Sequence, residues 1–151
     1  MDISKLLKSL NARRVQYVII GATAFPTHGY ARTTADIDIL IKPTRENAQR
    51  VLDALSQVGY DVTELSIDEV LEKKILFRQY ILATDVHPSA VGVTFETVWR
   101  NRVKDSIEGI PVFVAGLDDL IKMKRAANRP KDREDLKVLR ALKKRKTLRE
   151  P

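Results

Sequence analysis

The sequence predicts an α/β domain: a small mixed sheet with flanking helices, closed by a C-terminal helical pair. Three observations carry this. Short apolar, β-branched runs at 15–20, 36–41 and 110–114 alternate with stretches of helical period. Two helical patterns then follow one another at the C-terminal end with no strand between them. The chain has 151 residues, 44% hydrophobic and 31% charged, which is the size and composition of one folded domain.

Taken in order, a first helix is expected over 2–13, where Ile3, Leu6, Leu7 and Leu10 recur at helical spacing and Lys5, Lys8 and Ser9 point outward. Residues 15–20 are an apolar run ended by Gly21, the pattern of a buried strand. Residues 22–30 read as a short helix broken by Pro26 and Gly29. Residues 36–41 form a second strand, stopped by Pro43. Thr44 is the N-cap of a helix striped by Ala48, Val51, Leu52 and Leu55 that ends near Gly59. Ser66 and Glu69 have capping-box spacing ahead of Val70 and Leu71. Residues 75–86 are rich in β-formers and hold two strands or one bent strand. A short helix over 95–102, with Phe95 and Trp99 as a core stripe, precedes a strand over 110–114. Helices over 117–128 and 132–144 are separated by Arg129-Pro130, because proline disfavours helix in the residue before it. One domain is expected over 1–142, followed by a basic C-terminal tail at 143–151.

Composition excludes several chemistries. Cysteine is absent, which removes disulfides, zinc–thiolate sites and cysteine catalysis. Two histidines, His28 and His87, are too few for a histidine-rich metal cage. The longest nearly apolar stretch, residues 17–26, is far short of the ~20 residues a bilayer span needs. The start lacks the basic-then-apolar order of a signal peptide, so a cytoplasmic protein without a membrane partner is expected. The net charge of +7 is uneven: residues 122–149 carry +10 and the rest of the chain −3. Such a segment suits a polyanion such as RNA, or a phosphate-bearing substrate; a solvated extension fits the charge equally well.

The sharpest local feature is Asp36-Ile37-Asp38 at the head of an apolar strand. Residues i and i+2 share a face, so the two carboxylates point one way and Ile37, Ile39 and Ile41 the other. Adjacent carboxylates repel, and a hard divalent cation with oxygen ligands relieves them; a solvated strand edge is the alternative. Upstream, the strand ending in Gly21-Ala22-Thr23 enters a small-residue turn, whose exposed backbone N–H groups can cradle phosphate. Phosphate cradle and acid pair together are the layout of phosphoryl chemistry.

The run Gly21-Ala22, thirteen further residues, then Asp36-Ile37-Asp38 resembles the signature of the nucleotidyltransferase superfamily, the DNA polymerase-β-like fold. The longer stretch through His28, Gly29, Arg32 and Thr34 is similar to a small prokaryotic branch that includes abortive-infection-type toxins, and residues 117–124 and 129–136 fit its ending. The resemblance implies a nucleotidyltransferase that holds Mg²⁺ (or Mn²⁺) on Asp36, Asp38 and a third carboxylate from a neighbouring strand. Asp85, between apolar residues on an expected strand, is the candidate. It further implies an NTP substrate bound by Gly21, Ala22 and Thr23, with Lys124 on the triphosphate. Ala22 departs from the family's Gly or Ser, and Thr23 is the available hydroxyl beside it.

Two readings of single residues stand beside the resemblance. Lys124 follows Leu117, Leu120 and Ile121 at helical spacing, so it either snorkels out or points into an internal site. Arg32 either binds a phosphate or neutralises the acid pair, His28 packs its loop, and Asp135 is placed to pair with Lys124 or Arg129. The expected reaction moves a nucleoside monophosphate from an NTP to an acceptor hydroxyl. An RNA end, tRNA included, leads and a protein hydroxyl is second; the resemblance implies a toxin–antitoxin or phage-defence setting with a cognate antitoxin. The rival readings are an inactive module of the same fold that binds nucleotide, RNA or a protein, and a small-molecule modifier of the antibiotic-adenylating kind.

Overall fold

The computed structural model describes residues 3–32, 34, 36–78 and 83–149. Expectations that fall on residues 1–2, 33, 35, 79–82 and 150–151 lie outside them.

The first helix, α1 (Ile3–Ala12), buries Leu6, Leu7 and Leu10. It leads into β1 (Tyr17–Ile20), a strand buried along its whole length, as its unbroken apolar run requires. Two 3-10 turns follow, Gly21–Ala24 and Pro26–His28, in place of the single broken helix expected there. Pro26 opens the second turn, and Gly29 closes it at φ +96°. Next come β2 (Asp36–Ile41) and α2 (Arg45–Gln57), the latter capped by the Thr44 hydroxyl, which accepts from the Asn47 N–H. A full capping box between Ser66 and Glu69 starts α3 (Ile67–Glu72).

The β-rich stretch beyond it holds two strands, β3 (Ile75–Phe77) and β4 (Ala83–His87). After α4 (Phe95–Arg100) comes a strand that sequence periodicity does not reveal, β5 (Val103–Ile107), which turns through Glu108-Gly109 into β6 (Ile110–Val114). Both turn residues have positive φ, the requirement of a two-residue hairpin loop. Helices α5 (Leu117–Ala127) and α6 (Pro130–Arg149) close the chain. Asn128, at φ +51°, ends α5 in the left-handed region, and Pro130 opens α6 where no N–H is needed. Residues 143–149, expected as a tail, are the last turns of α6.

The six strands form one mixed sheet in the order β3-β4-β2-β1-β6-β5. The pairs β2–β4 and β1–β6 are parallel, while β1–β2, β3–β4 and β5–β6 are antiparallel. Ile37, Ile39 and Ile41 point into the continuous core with Leu6, Leu10 and Leu55, all fully buried. On the opposite face of β2 stand Asp36 and Asp38.

Candidate active site

Strand register builds the acid face. In the parallel pair β2–β4, Asp38 lies opposite Asp85, Asp36 opposite Ala83 and Leu40 opposite His87. Asp38 and Asp85 therefore sit side by side on one face of the sheet, and His87, two residues after Asp85, shares that face. The His87 Nε2 is 2.8 Å from Asp38 Oδ1. One ligand atom each from Asp38, Asp85 and His87 lie within 4.8 Å of one another. Asp36 stands outside that trio, exposed, on the same face of β2.

The upstream half of the motif presses directly on this face. Gly21 has φ +70°, and a Cβ there would stand 2.6 Å from Asp38 Oδ2. Only glycine tolerates both the angle and the carboxylate. Thr23 Oγ1 donates to the Asp36 carbonyl at 2.9 Å, which pins the first 3-10 turn to the start of β2. Its hydroxyl proton is thus held by the backbone. What this turn offers an anion is its leading backbone N–H groups, which have no carbonyl partner within the turn.

A guanidinium faces the carboxylates. Arg78, just after β3, grips Asp85 through both terminal nitrogens, Nη1 to Oδ1 and Nη2 to Oδ2. The hydrogen bond to Asp85 raises the Arg78 pKa, and the charges of Asp85, Asp36 and Asp38 push it further in that direction. All three carboxylates thus act on one cation, which places Asp36 in the electrostatic cluster although it stands outside the close trio.

A second charge cluster joins the two C-terminal helices to the loop before β2. Asp132 and Asp135, on the first turns of α6, are buried, and Asp132 is wholly inaccessible. Lys124 Nζ lies 3.1 Å from Asp132 Oδ1 and 3.1 Å from Asp135 Oδ2. Arg129 Nε donates to Asp132 Oδ2 at 2.6 Å, and Arg32 Nη1 to Asp135 Oδ1 at 2.5 Å. Burial pushes the Asp132 carboxyl up, but the hydrogen bonds from Arg129 and Lys124 outweigh it and hold its pKa well below the usual carboxylate range. Lys124 and Arg32, expected on the nucleotide, are therefore joined to each other through Asp135. Arg129 links the clusters: its pKa is raised first by its bond to Asp132, and the charge of Asp38 contributes. His28 donates its Nε2–H to the Ala115 carbonyl at 2.8 Å, a loop-packing contact.

A family model described as a nucleotidyltransferase of unknown function, DUF6036, matches residues 1–145. The chain belongs to that family. Solved nucleotidyltransferases share its fold. The lincosamide antibiotic adenylyltransferase LnuA, bound to lincomycin, superposes with a TM-score of 0.61 at 16% identity, over 94% of this chain and 98% of that one. ANT(2'')-Ia in complex with adenylyl-2''-tobramycin gives 0.61 at 18% identity, over 95% of each chain. No curated protein matches the sequence.

In this nucleotidyltransferase the acid face fits a divalent cation on two grounds. The donor set is two carboxylates and an imidazole within reach of one centre. The glycine contact leaves Asp38 Oδ2 in a cradle that a Cβ would fill. Open cavities lie elsewhere. One of about 400 Å³ is lined by His28, Asn101, Asp119 and Lys143, and one of about 450 Å³ by Asn11, Tyr17, Trp99 and Phe113. No helix of the described residues is long and apolar enough to cross a membrane.

Two side chains of the site, Arg78 and His87, do not emerge from motif reading. His87 carries a legible signal: Asp85-Val86-His87 repeats the alternation of Asp36-Ile37-Asp38 on an apolar strand. Arg78 carries none, because only the β3–β4 register brings it to Asp85.

Proposed function

We propose that the chain transfers a nucleoside monophosphate from an NTP to an acceptor hydroxyl, using a divalent cation held by Asp36, Asp38 and Asp85. The single observation that carries this reading is the β2–β4 register, which sets Asp38 beside Asp85 directly above Gly21. A bound cation would neutralise triphosphate charge and make the acceptor hydroxyl more acidic. The backbone of Gly21, Ala22 and Thr23 receives phosphate oxygens, and Arg129, near enough to feel Asp38, adds positive charge on their side. The acceptor oxygen bonds to the α-phosphorus, the bond from that phosphorus to the β-bridging oxygen breaks, and pyrophosphate leaves. The acceptor proton passes to the Asp85 carboxylate.

An RNA end is the leading acceptor. Support comes from α6, whose last turns carry exposed Lys143, Lys144, Arg145, Lys146 and Arg149. A protein hydroxyl is second, and the sequence resemblance puts the reaction in a toxin–antitoxin or defence setting. One observation favours a small-molecule acceptor instead: the fold is that of LnuA and ANT(2'')-Ia over nearly the whole chain, and those structures hold lincomycin and adenylyl-tobramycin.

Incubation with each α-labelled NTP, Mg²⁺ or Mn²⁺, and in separate arms tRNA, total RNA, a protein extract, lincomycin or tobramycin tests these readings. Label on RNA supports the leading acceptor. Label on a small molecule alone replaces it. Tight NTP binding with no transfer in any arm makes the chain a binding module and overturns the enzymatic reading.

A further inference from the structure

We infer that His87 is a nitrogen ligand of the divalent-cation site and biases that site toward Mn²⁺ and later first-row ions over Mg²⁺. The inference rests on the metal-dependent reading above and adds to it one ligand and one metal preference.

The placement follows from β4. Thr84 and Val86 are buried, while Asp85 and His87 share the face that meets Asp38 across the parallel pair. The imidazole is largely shielded, with 17% of its side chain exposed, and its Nε2 points at Asp38 Oδ1 from 2.8 Å. Neighbouring ligands around an octahedral ion with bonds of ~2.1 Å stand about 3.0 Å apart. The same spacing therefore serves a hydrogen bond without metal and an edge of the coordination shell with it, at the expense of a few tenths of an ångström. Asp85 is close enough to supply a third corner, since all three ligand atoms fall within 4.8 Å.

Chemistry sets the preference. Mg²⁺ favours an all-oxygen shell and gives up water reluctantly, whereas an imidazole nitrogen favours first-row transition ions. Carboxylates alone would leave the choice to availability; the nitrogen tilts it. The competing role for His87 is purely positional: an N–H donated to Asp38 that keeps its carboxylate turned toward Gly21. A glutamine at 87 can donate the same hydrogen bond but offers no imidazole nitrogen, so His87→Gln separates the two roles.

Mn²⁺ bound to the full-length, tag-free protein is the probe, and pulsed electron paramagnetic resonance reads its ligands without any turnover. The chain has one other histidine, His28, whose Nε2 contacts the Ala115 carbonyl, so a nitrogen signal is assignable. The wild type should show ¹⁴N coupling to Mn²⁺ that disappears in His87→Gln. Mn²⁺ affinity should fall about tenfold and Mg²⁺ affinity less than about threefold in that variant. His87→Ala, checked by circular dichroism, should match His87→Gln in metal preference. Bound Mn²⁺ without nitrogen coupling in the wild type overturns the inference. So does recovery of wild-type preference by glutamine where alanine loses it, which makes His87 a positioning residue. Asp38→Asn separates the layers: if Mn²⁺ fails to bind the wild type, or binds Asp38→Asn equally well, the metal-dependent reading falls too.

Discussion

Two charge clusters lie on either side of the Gly21–His28 loop, and they are built on opposite terms. The acid face gathers Asp36, Asp38 and Asp85 against the guanidinium of Arg78, with His87 alongside. The clasp between the C-terminal helices sets two carboxylates, Asp132 and Asp135, against three cations, Lys124, Arg129 and Arg32. Asp132 and Asp135 are almost fully shielded, whereas 24% of the Asp38 side chain is exposed and Asp36 is open to solvent. Buried charge is tolerated when it is matched, and the clasp is matched. Excess negative charge at an open edge is tolerated because water and an incoming cation relieve it. The difference supports the proposal that the clasp holds the fold together and the acid face receives a ligand.

The sharpest way to break this contrast is to cut the clasp. Asp132→Ala leaves Lys124, itself 15% exposed, short of a partner and strips Arg129 of its anchor. Breaking one side of a buried pair costs roughly 3–5 kcal/mol, so urea unfolding should show a loss of that size. The same group predicts a pH dependence. Its folded pKa lies below its unfolded one, so its contribution is complete above the ordinary carboxylate range and is lost as pH falls through that range toward the depressed value. The acid limb of a stability–pH curve should flatten in the variant. A stability within about 0.5 kcal/mol of wild type would show the clasp to be ornamental.

On the acid face the pattern should reverse, with large functional and small structural effects. Asp85→Asn keeps the size of the side chain and an oxygen for Arg78 but removes the charge that would take the acceptor proton. Positioned proton transfer contributes roughly 10²–10⁴-fold in rate, so transfer should fall by at least about 10²-fold with Mg-NTP affinity within a few-fold and melting temperature near normal. Equal transfer by variant and wild type would remove Asp85 from the mechanism.

The contrast also explains what was legible in the chain. Asp36-Ile37-Asp38 declares itself because two-residue alternation is a local pattern, and the Gly21 turn because an apolar run ends on small residues. Lys124 declares its unusual place by sharing a helical face with Leu117, Leu120 and Ile121. What escaped depends on register or on weak pattern. Lys104, Asp105 and Ser106 occupy the middle of β5 and are exposed, so an edge strand held by its hairpin partner has no apolar alternation to show. The last turns of α6 bury nothing, and periodicity is silent where a helix stands in water. Arg78 reaches Asp85 only through strand pairing, which no spacing along the chain encodes.

Gly21 ties the clusters' shared loop to the acid face and gives a smaller, mixed effect. In Gly21→Ala the new methyl must displace Asp38 Oδ2 while the backbone sits at φ +70°. A destabilisation of about 1–3 kcal/mol is expected. Mg²⁺ or Mn²⁺ should raise the melting temperature of the wild type, and that rise should disappear in Gly21→Ala, as it should in Asp36→Asn/Asp38→Asn. An alanine variant that keeps its metal response would mean the cation does not depend on the Asp38 rotamer.

The smallest expected effect concerns the end of α6, away from both clusters. Lys144, Arg145 and Lys146 are exposed, and glutamine preserves helix propensity at each. The triple change to glutamine spares Lys143, which is 2.8 Å from Asp118 and helps seat α6 on α5. If these three cations meet RNA phosphates, the dependence of log affinity on log salt should flatten by up to about 2, at ~0.7 per single-strand phosphate. NTP binding and melting temperature should stay as they are, because none of the three touches the acid face or the clasp. Phosphate contacts position an RNA without reading its sequence, so affinity should fall alike for unrelated RNAs. An unchanged slope would make this stretch a solvated helix face, and the preference for an RNA acceptor would give way to the small-molecule reading.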